Sequence, residues 1–370
     1  MTAPHGRLAS LDVFRGATVA GMILVNNPGN WSTTFETVTH ADWNGCTFAD
    51  LVFPFFIFIL GAAMPLALAR RLERGQPPRV LYLRIARRSA WLILLGLLLN
   101  VVAAAPHVLG LRLPGVLQRI GVVYLIAAPI VMNTNRRWRT IWIATLVLGH
   151  WALLMAPLSA AQGMTQGHNL SGLVDRALFG RHILTATGDP EGMLGTIPAV
   201  ASALMGSIAG GWLIEERPVW IRVAGLVGGG WAALIMGLAW APLLPLNKSL
   251  WTGSFVLFTG GVAALVLAIA YVLCDVEGND RWAARPFAWL GLNPLAIYFL
   301  AELFGHLIDL PWRQGATLMT ARAWIFWDVL RRLVPDLPDE WLSLVFAVLV
   351  VAWWTAVAGA LYRRGVQIQV

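Results

Sequence analysis

An all-α bundle crossing a membrane many times is the fold the sequence predicts, and three observations carry that expectation. Mean hydropathy is +0.67. Hydrophobic residues make up 58% of the 370 positions and charged residues only 12%, against about 25% charged in a soluble domain. Apolar stretches of about 20 residues, the helix length that spans a bilayer core, recur from end to end. The pI of about 10.4 does not indicate a nucleic-acid partner, because the arginines do not form one basic block. They fall between the apolar stretches and read as topology signals.

Ten spans are expected, near 12–26, 48–69, 85–103, 114–132, 140–157, 192–214, 223–241, 252–273, 286–305 and 341–361. With the N-terminus in the cytoplasm, one side collects most of the Lys and Arg. Arg7 and Arg15 lie there, as do Arg70, Arg71, Arg74, Arg79, Arg84, Arg87 and Arg88. So do Arg136, Arg137, Arg139, Arg217, Arg222, Arg281, Arg285, Arg363 and Arg364. The bias favours an N-in, C-in arrangement with an even span count. Residues 1–370 read as a single transmembrane domain. No secretory cleavage site follows the first apolar stretch, so that stretch is expected to stay as an anchor. Cys46 and Cys274 fall on opposite faces, which predicts no disulfide. The longer, more polar loops, 27–47, 158–191, 242–250 and 306–340, lie on the outer side, where functional surfaces are commonly built. The stretch 319–334, with Trp324, Phe326 and Trp327 beside Arg331 and Arg332, is amphipathic and reads as an interfacial helix.

Candidate chemistry gathers at the outer mouth. His40-Ala-Asp-Trp-Asn-Gly-Cys-Thr-Phe-Ala-Asp50 runs directly into the apolar stretch that begins at Leu51. A polar, titratable cluster there is costly unless it is paired or used. Imidazole suits proton transfer near neutral pH. Asn26 ends the first span beside Asn27-Pro28-Gly29, where the helix must break. It is either a capping residue or an oxyanion donor partnering His40. Asp189 and Glu191, in Asp-Pro-Glu-Gly before span six, either cap that helix or orient His40 and bind an amine. Arg119 snorkels outward or forms a structural ion pair with Asp50 or Glu191. Asn44, Asn247, Lys248 and Trp251 are loop and anchor residues or the lining of a sugar pocket. Asn293-Pro294, Glu302 and His306 form a further polar group. Arg87 and Arg88, with Arg84, set topology or receive a polyanion. No P-loop, G-x-S-x-G or C-x-x-C pattern is present, and His40 with Asp42 does not make a metal site.

Several blocks in order carry a family resemblance. They are Arg7-Leu-Ala-Ser-Leu-Asp12-Val-Phe14-Arg15-Gly16, His40-Ala-Asp-Trp43-Asn44-Gly45, Ala49-Asp50-Leu-Val-Phe-Pro54, Pro114-Gly-Val-Leu-Gln-Arg119, Asp189-Pro-Glu-Gly192, Asn247-Lys-Ser-Leu-Trp251 and Gly291-Leu-Asn-Pro294. Together the chain resembles the heparan-alpha-glucosaminide N-acetyltransferase family and its bacterial relatives. That resemblance implies a transmembrane acyltransferase. Acetyl-CoA would bind from the cytosolic side and acetylate the free amine of glucosamine, or of a glucosamine-containing saccharide, on the periplasmic side of a bacterial inner membrane. The family's active histidine falls on His40 and its partner asparagine on Asn26. The loop between them differs in length and residues from the animal enzymes, and no counterpart is expected of the soluble lumenal domain that precedes the first matched helix there.

On this reading His40 is a general base or an acetyl carrier, and Asn26 stabilises the oxyanion. Asp189, Glu191, Asn44, Asn247, Lys248 and Trp251 contact the acceptor, Arg87 and Arg88 meet acetyl-CoA, and Asp50 and Arg119 are structural. The implied partners are acetyl-CoA, an amino-sugar acceptor, the lipid bilayer and, as an open option, a second copy of the chain. Neither a metal nor a nucleic acid is implied. The competing class is an amino-sugar transporter without acetyl transfer, since broken helices and polar residues at membrane depth suit that role too.

Overall fold

The computed structural model describes residues 8–73, 75–105, 110–156, 164–278, 283–314 and 317–368; Arg7, Arg74 and Arg281 lie outside them. The chain is nearly all helix. In order come α1 (Ala9–Asn26), α2 (Phe48–Glu73), α3 (Pro78–Ala104), α4 (Val116–Asn133) and α5 (Arg136–Leu154). They are followed by α6 (Leu170–Phe179), α7 (Met193–Ile214), α8 (Val219–Trp240) and α9 (Gly253–Tyr271). The last elements are α10 (Arg285–Leu292), α11 (Pro294–Ile308), a two-stranded hairpin of β1 (Pro311–Gln314) and β2 (Thr317–Thr320), a short helical stretch at 321–333, and α13 (Asp339–Arg363), that stretch being α12.

Among the described helices seven are long and apolar enough to cross a membrane, α2, α3, α4, α7, α8, α9 continued to Val276, and α13. The pair α10 and α11 makes an eighth if it is one span. The ten expected spans each contain a helix, but α1 carries Asp12 and Arg15, and α5 carries Arg136, Arg137 and Arg139. Those charges keep both outside the seven. The stretch 286–305 is not the continuous helix expected. It bends by 87° at Asn293-Pro294, where proline cannot donate to the preceding turn. Asn293 braces the bend, donating through Nδ2 to the Val366 carbonyl at 3.1 Å and accepting from the Ile368 amide at 2.7 Å.

The centre of the bundle is the pair α2 and α7, whose apolar windows are 78% and 67% buried, against 22% for α8. Small residues make the pairing possible. A methyl group added at Gly61 would lie 1.8 Å from the Ala203 carbonyl oxygen, and one at Gly206 would lie 1.9 Å from that of Phe58. Lipid-embedded helices associate by such close backbone approach, because apolar burial alone gives no preference over lipid. The outer helices turn large apolar side chains such as Trp220, Leu83 and Trp353 outward, which suits hydrocarbon and would be a liability in water.

The amphipathic stretch 319–334 begins in β2 and continues as α12, with Phe326 fully buried and Arg322 buried. Trp324 and Trp327 stay exposed. No disulfide joins Cys46 and Cys274.

Candidate active site

The start of α2 fixes the key carboxylate. Thr47 caps the helix, and Asp50, three residues on, reaches back so that its Oδ2 accepts from the Thr47 amide at 3.1 Å. This is the carboxylate half of a capping box; the Asp50 amide donates to the Thr47 carbonyl at 3.2 Å rather than to its hydroxyl. Asp50 Oδ2 also accepts from the Ala41 amide and the Thr47 hydroxyl, each at 3.1 Å. Asp50 is thus almost fully buried with one oxygen wholly committed, and Oδ1 is left to face Nδ1 of His40 at 2.9 Å. A carboxylate only accepts, so Nδ1 carries the proton and Nε2 is the basic nitrogen. His40 is about half exposed, its side chain at 48%. Lys248 Nζ stands 3.1 Å from both Nδ1 and Nε2 and 3.7 Å from Asp50 Oδ1. Burial lowers the Lys248 ammonium below the usual lysine range, with Glu191 and Asp50 opposing the shift.

Asp50 is therefore not the structural partner of Arg119 that the sequence suggested; it orients His40. Arg119 is buried, with Nη2 donating to the Gly192 carbonyl at 2.9 Å and its guanidinium 5.0 Å from the Trp251 ring. The carboxylates expected to meet the histidine or an amine are taken by a residue that the motif reading passed over. Arg112 donates to Asp189 through Nε at 2.7 Å and Nη2 at 2.5 Å, and also pairs with Glu191. Asp189 accepts in addition from the Leu184 amide at 2.9 Å. Burial favours the neutral acid at Glu191, but Arg112, then Arg119, hold its carboxyl below the usual range. Arg112 lies in an irregular segment after α3, and only the count of charges needed to neutralise two buried carboxylates could have pointed to it.

Asn247, Asn44 and Trp251 also have other work than lining a sugar pocket. Asn247 is buried and donates through Nδ2 to the Trp43 carbonyl at 2.8 Å and to Asn44 Oδ1 at 3.1 Å, pinning the loop that carries His40. Trp251 is neither an interfacial anchor nor a sugar platform. It is fully buried, edge-on to Phe53 and Phe255, with Nε1 donating to Ser202 at 3.2 Å. It adopts a left-handed backbone at φ 54°, an uncommon conformation for a bulky residue.

His40, Asn26, Glu191 and Lys248 line one cavity of about 570 Å³, together with Trp31, Arg112, Tyr298, Glu302 and Arg322. Asn26, at the end of α1, donates through Nδ2 to Glu302 Oε1 at 2.7 Å. Trp31 is 59% exposed at this mouth. A second cavity of about 800 Å³ carries Arg15, Arg84, Arg87 and Arg88 with Trp91 and Tyr124. Arg88 lies 4.8 Å over the Tyr124 ring.

The two cavities occupy successive turns of the same three helices. On α2 the lining passes from Phe53 to Phe56, on α3 from Asn100 and Leu99 to Leu95 and Arg88, and on α11 from Glu302 and Tyr298 to Leu295. Along α3 the separation from Asn100 to Arg88 is about 18 Å at 1.5 Å per residue.

Cys46, next to this cluster, is a poor nucleophile: burial, and then the neighbouring Asp50, push its thiol up to about 12, so the reactive thiolate is scarce near neutral pH. Among the described residues no group of His, Cys, Asp and Glu is arranged to hold a metal ion.

Comparison with known proteins agrees with the motif reading. A family model described as a domain of unknown function (DUF5009) matches residues 7–141. The chain is 29% identical to human heparan-alpha-glucosaminide N-acetyltransferase over 378 residues, covering 85% of this chain and 55% of the human protein. The mouse protein of the same name is 28% identical over 372 residues, covering 83% of this chain and 55% of its own length. The chain thus spans about half the length of the curated relatives it matches, and the resemblance drawn from its motif blocks is borne out.

Proposed function

We propose that the chain is an integral membrane acetyltransferase that takes acetyl-CoA from the arginine-rich side and transfers its acetyl group to an amino sugar at the outer mouth. The observation that carries this reading is the juxtaposition of two cavities, one basic and one holding a carboxylate-oriented histidine, on consecutive turns of α2, α3 and α11. The similarity to two N-acetyltransferases supports it. The named relatives act on a heparan glucosaminide; glucosamine or a short saccharide bearing it is the acceptor proposed here.

Each cavity suits one end of the reaction. Arg87 and Arg88, with Arg15 and Arg84, offer guanidinium forks of the kind that grip phosphates bidentately, and Trp91 and Tyr124 offer aromatic faces for a base. The thioester end of a slim pantetheine arm would follow the helix groove to the outer cavity. There His40 Nε2 removes a proton from the attacking nitrogen, and Asp50 keeps the imidazole in the tautomer and orientation this requires. The amide hydrogen of Asn26 not donated to Glu302, and the Lys248 ammonium beside Nε2, are suited to the oxyanion that forms on the thioester carbonyl. The same geometry serves an acetyl-His40 intermediate.

Purified chain in detergent, given acetyl-CoA and glucosamine with a free-thiol readout, tests the reading. Sugar-dependent CoA release is expected. Sugar uptake into liposomes with no CoA release would instead establish the transporter, which the bend at Asn293-Pro294 also suits.

A further inference from the structure

Ionised side chains at membrane depth are paired or used. Along the outer cavity most are paired. His40 meets Asp50, and Lys248 stands against both. Arg112 holds Asp189 and Glu191. Arg322 donates to Asp309 through Nε at 2.7 Å and Nη2 at 2.9 Å, and its Nη1 donates to the Pro28 carbonyl at 2.7 Å. Glu302 differs. It lines the cavity from α11, and among the described residues its one hydrogen-bond partner is neutral, the Asn26 amide at 2.7 Å on Oε1. No cation among the described residues lies within ion-pair distance of it, and Oε2 accepts no hydrogen bond from them. α11 itself begins at the 87° bend at Asn293-Pro294.

We propose that Glu302 receives the ammonium group of the acceptor and takes its first proton. The proposal rests on the acetyltransferase reading above and names the group that handles the acceptor amine. A carboxylate with no cation within ion-pair distance among the described residues, on the wall of a cavity, is a site for a cation brought in from outside. The acceptor arrives as an ammonium, which has no lone pair with which to attack. Its proton passes to Glu302, which becomes the neutral acid. The freed pair forms the C–N bond to the thioester carbon, and the carbonyl pair moves onto oxygen, within reach of the second Asn26 hydrogen. The surplus proton on nitrogen goes to Nε2 of His40. Collapse breaks the C–S bond, the pair leaves with sulfur, and the imidazolium returns its proton to that sulfur. Glu302 gives its proton to water. Ammonium and thioester have become amide, thiol and one proton, with no further reactant.

The division of labour makes a distinction that a packing role cannot. Methoxyamine is an amine that is uncharged at neutral pH and has no ammonium proton to lose. In the full chain, E302Q should lower kcat/KM for glucosamine by about 10²-fold or more, the scale of a lost acid–base group, and for methoxyamine by less than about tenfold. Acetyl-CoA affinity, followed by direct binding, should stay within about twofold of wild type. E302D keeps the charge and should fall between the two. If E302Q does not bind acetyl-CoA, and so is not folded, E302D alone decides: a selective loss with glucosamine supports the assignment. Equal losses with both amines, or no loss with either, overturn it while leaving the acetyltransferase intact. A wild-type chain that releases no CoA with either amine overturns the acetyltransferase reading and the assignment with it.

Discussion

His40, Asp50 and Trp251 behave very differently as single residues, although all three belong to motif blocks. His40 is half exposed and contributes little packing, so His40→Ala should abolish CoA release while leaving a folded, inserted protein; turnover near wild type would remove it from the mechanism. Asp50→Asn removes the acceptor that fixes the tautomer. Turnover should drop by about 10²-fold or more while acetyl-CoA affinity holds, as measured by steady-state kinetics beside binding. Asp50 also accepts from the Thr47 amide at the start of α2, so thermal unfolding should be followed in parallel, with loss of such a capping bond costing about 1 kcal/mol. Trp251→Ala belongs to a different class. The ring is in the core, and its loss should cost about 3–5 kcal/mol of stability, with acceptor KM unchanged in whatever fraction stays folded. A raised KM at full stability would restore the sugar-platform role that the burial argues against.

At the scale of elements, the decisive contact is α2 against α7. Gly206 sits over the Phe58 carbonyl with no room for a side chain. Gly206→Leu should therefore push the two central helices apart and lose the folded protein, which size-exclusion chromatography in detergent would report as aggregation. Both cavities depend on α2 keeping its place, so activity should disappear with the fold rather than separately from it. The break between α10 and α11 has a comparable role for chemistry, because α11 begins there and lines the cavity of His40 with Glu302 and Tyr298 and the basic cavity with Leu295. Arg112 shows how a loop can serve as an element. Removing it, as in Arg112→Met, would strand two buried carboxylates. That should destabilise the chain by about 3–5 kcal/mol, read as a lower unfolding temperature.

For the whole molecule, the sidedness of the two cavities is the property that separates this reading from that of an ordinary soluble transferase. In sealed vesicles of known orientation, acetyl-CoA should be consumed only from the face bearing Arg84, Arg87 and Arg88. A membrane-impermeant amino sugar should be acetylated only from the opposite face. Activity with both substrates confined to the arginine-rich side would sink the transmembrane mechanism. Charge reversal at Arg87 and Arg88 together should raise the Kd for acetyl-CoA without changing acceptor KM; unaltered affinity with scrambled topology would return these residues to a purely topological role.

Composition and apolar run length determined the fold class, because a bilayer imposes one length and one polarity on every helix that crosses it. Motif order carried the resemblance and with it His40 and Asn26, while charge placement alone singled out the basic cluster on α3. What the sequence left open was pairing. Asp50 could meet Arg119 or His40, and Asp189 could meet the histidine or something unnamed. Such choices turn on a few ångströms between segments far apart in the chain, and only the tertiary structure decided them. It gave Asp50 to His40 through the cap of α2, gave Asp189 and Glu191 to Arg112, and drew Trp251 into the core against Arg119. It also broke the helix at Asn293-Pro294 and set Glu302 beside Asn26. Local sequence sets which groups are costly to bury; which partner satisfies each of them depends on the packing of helices that share no local sequence.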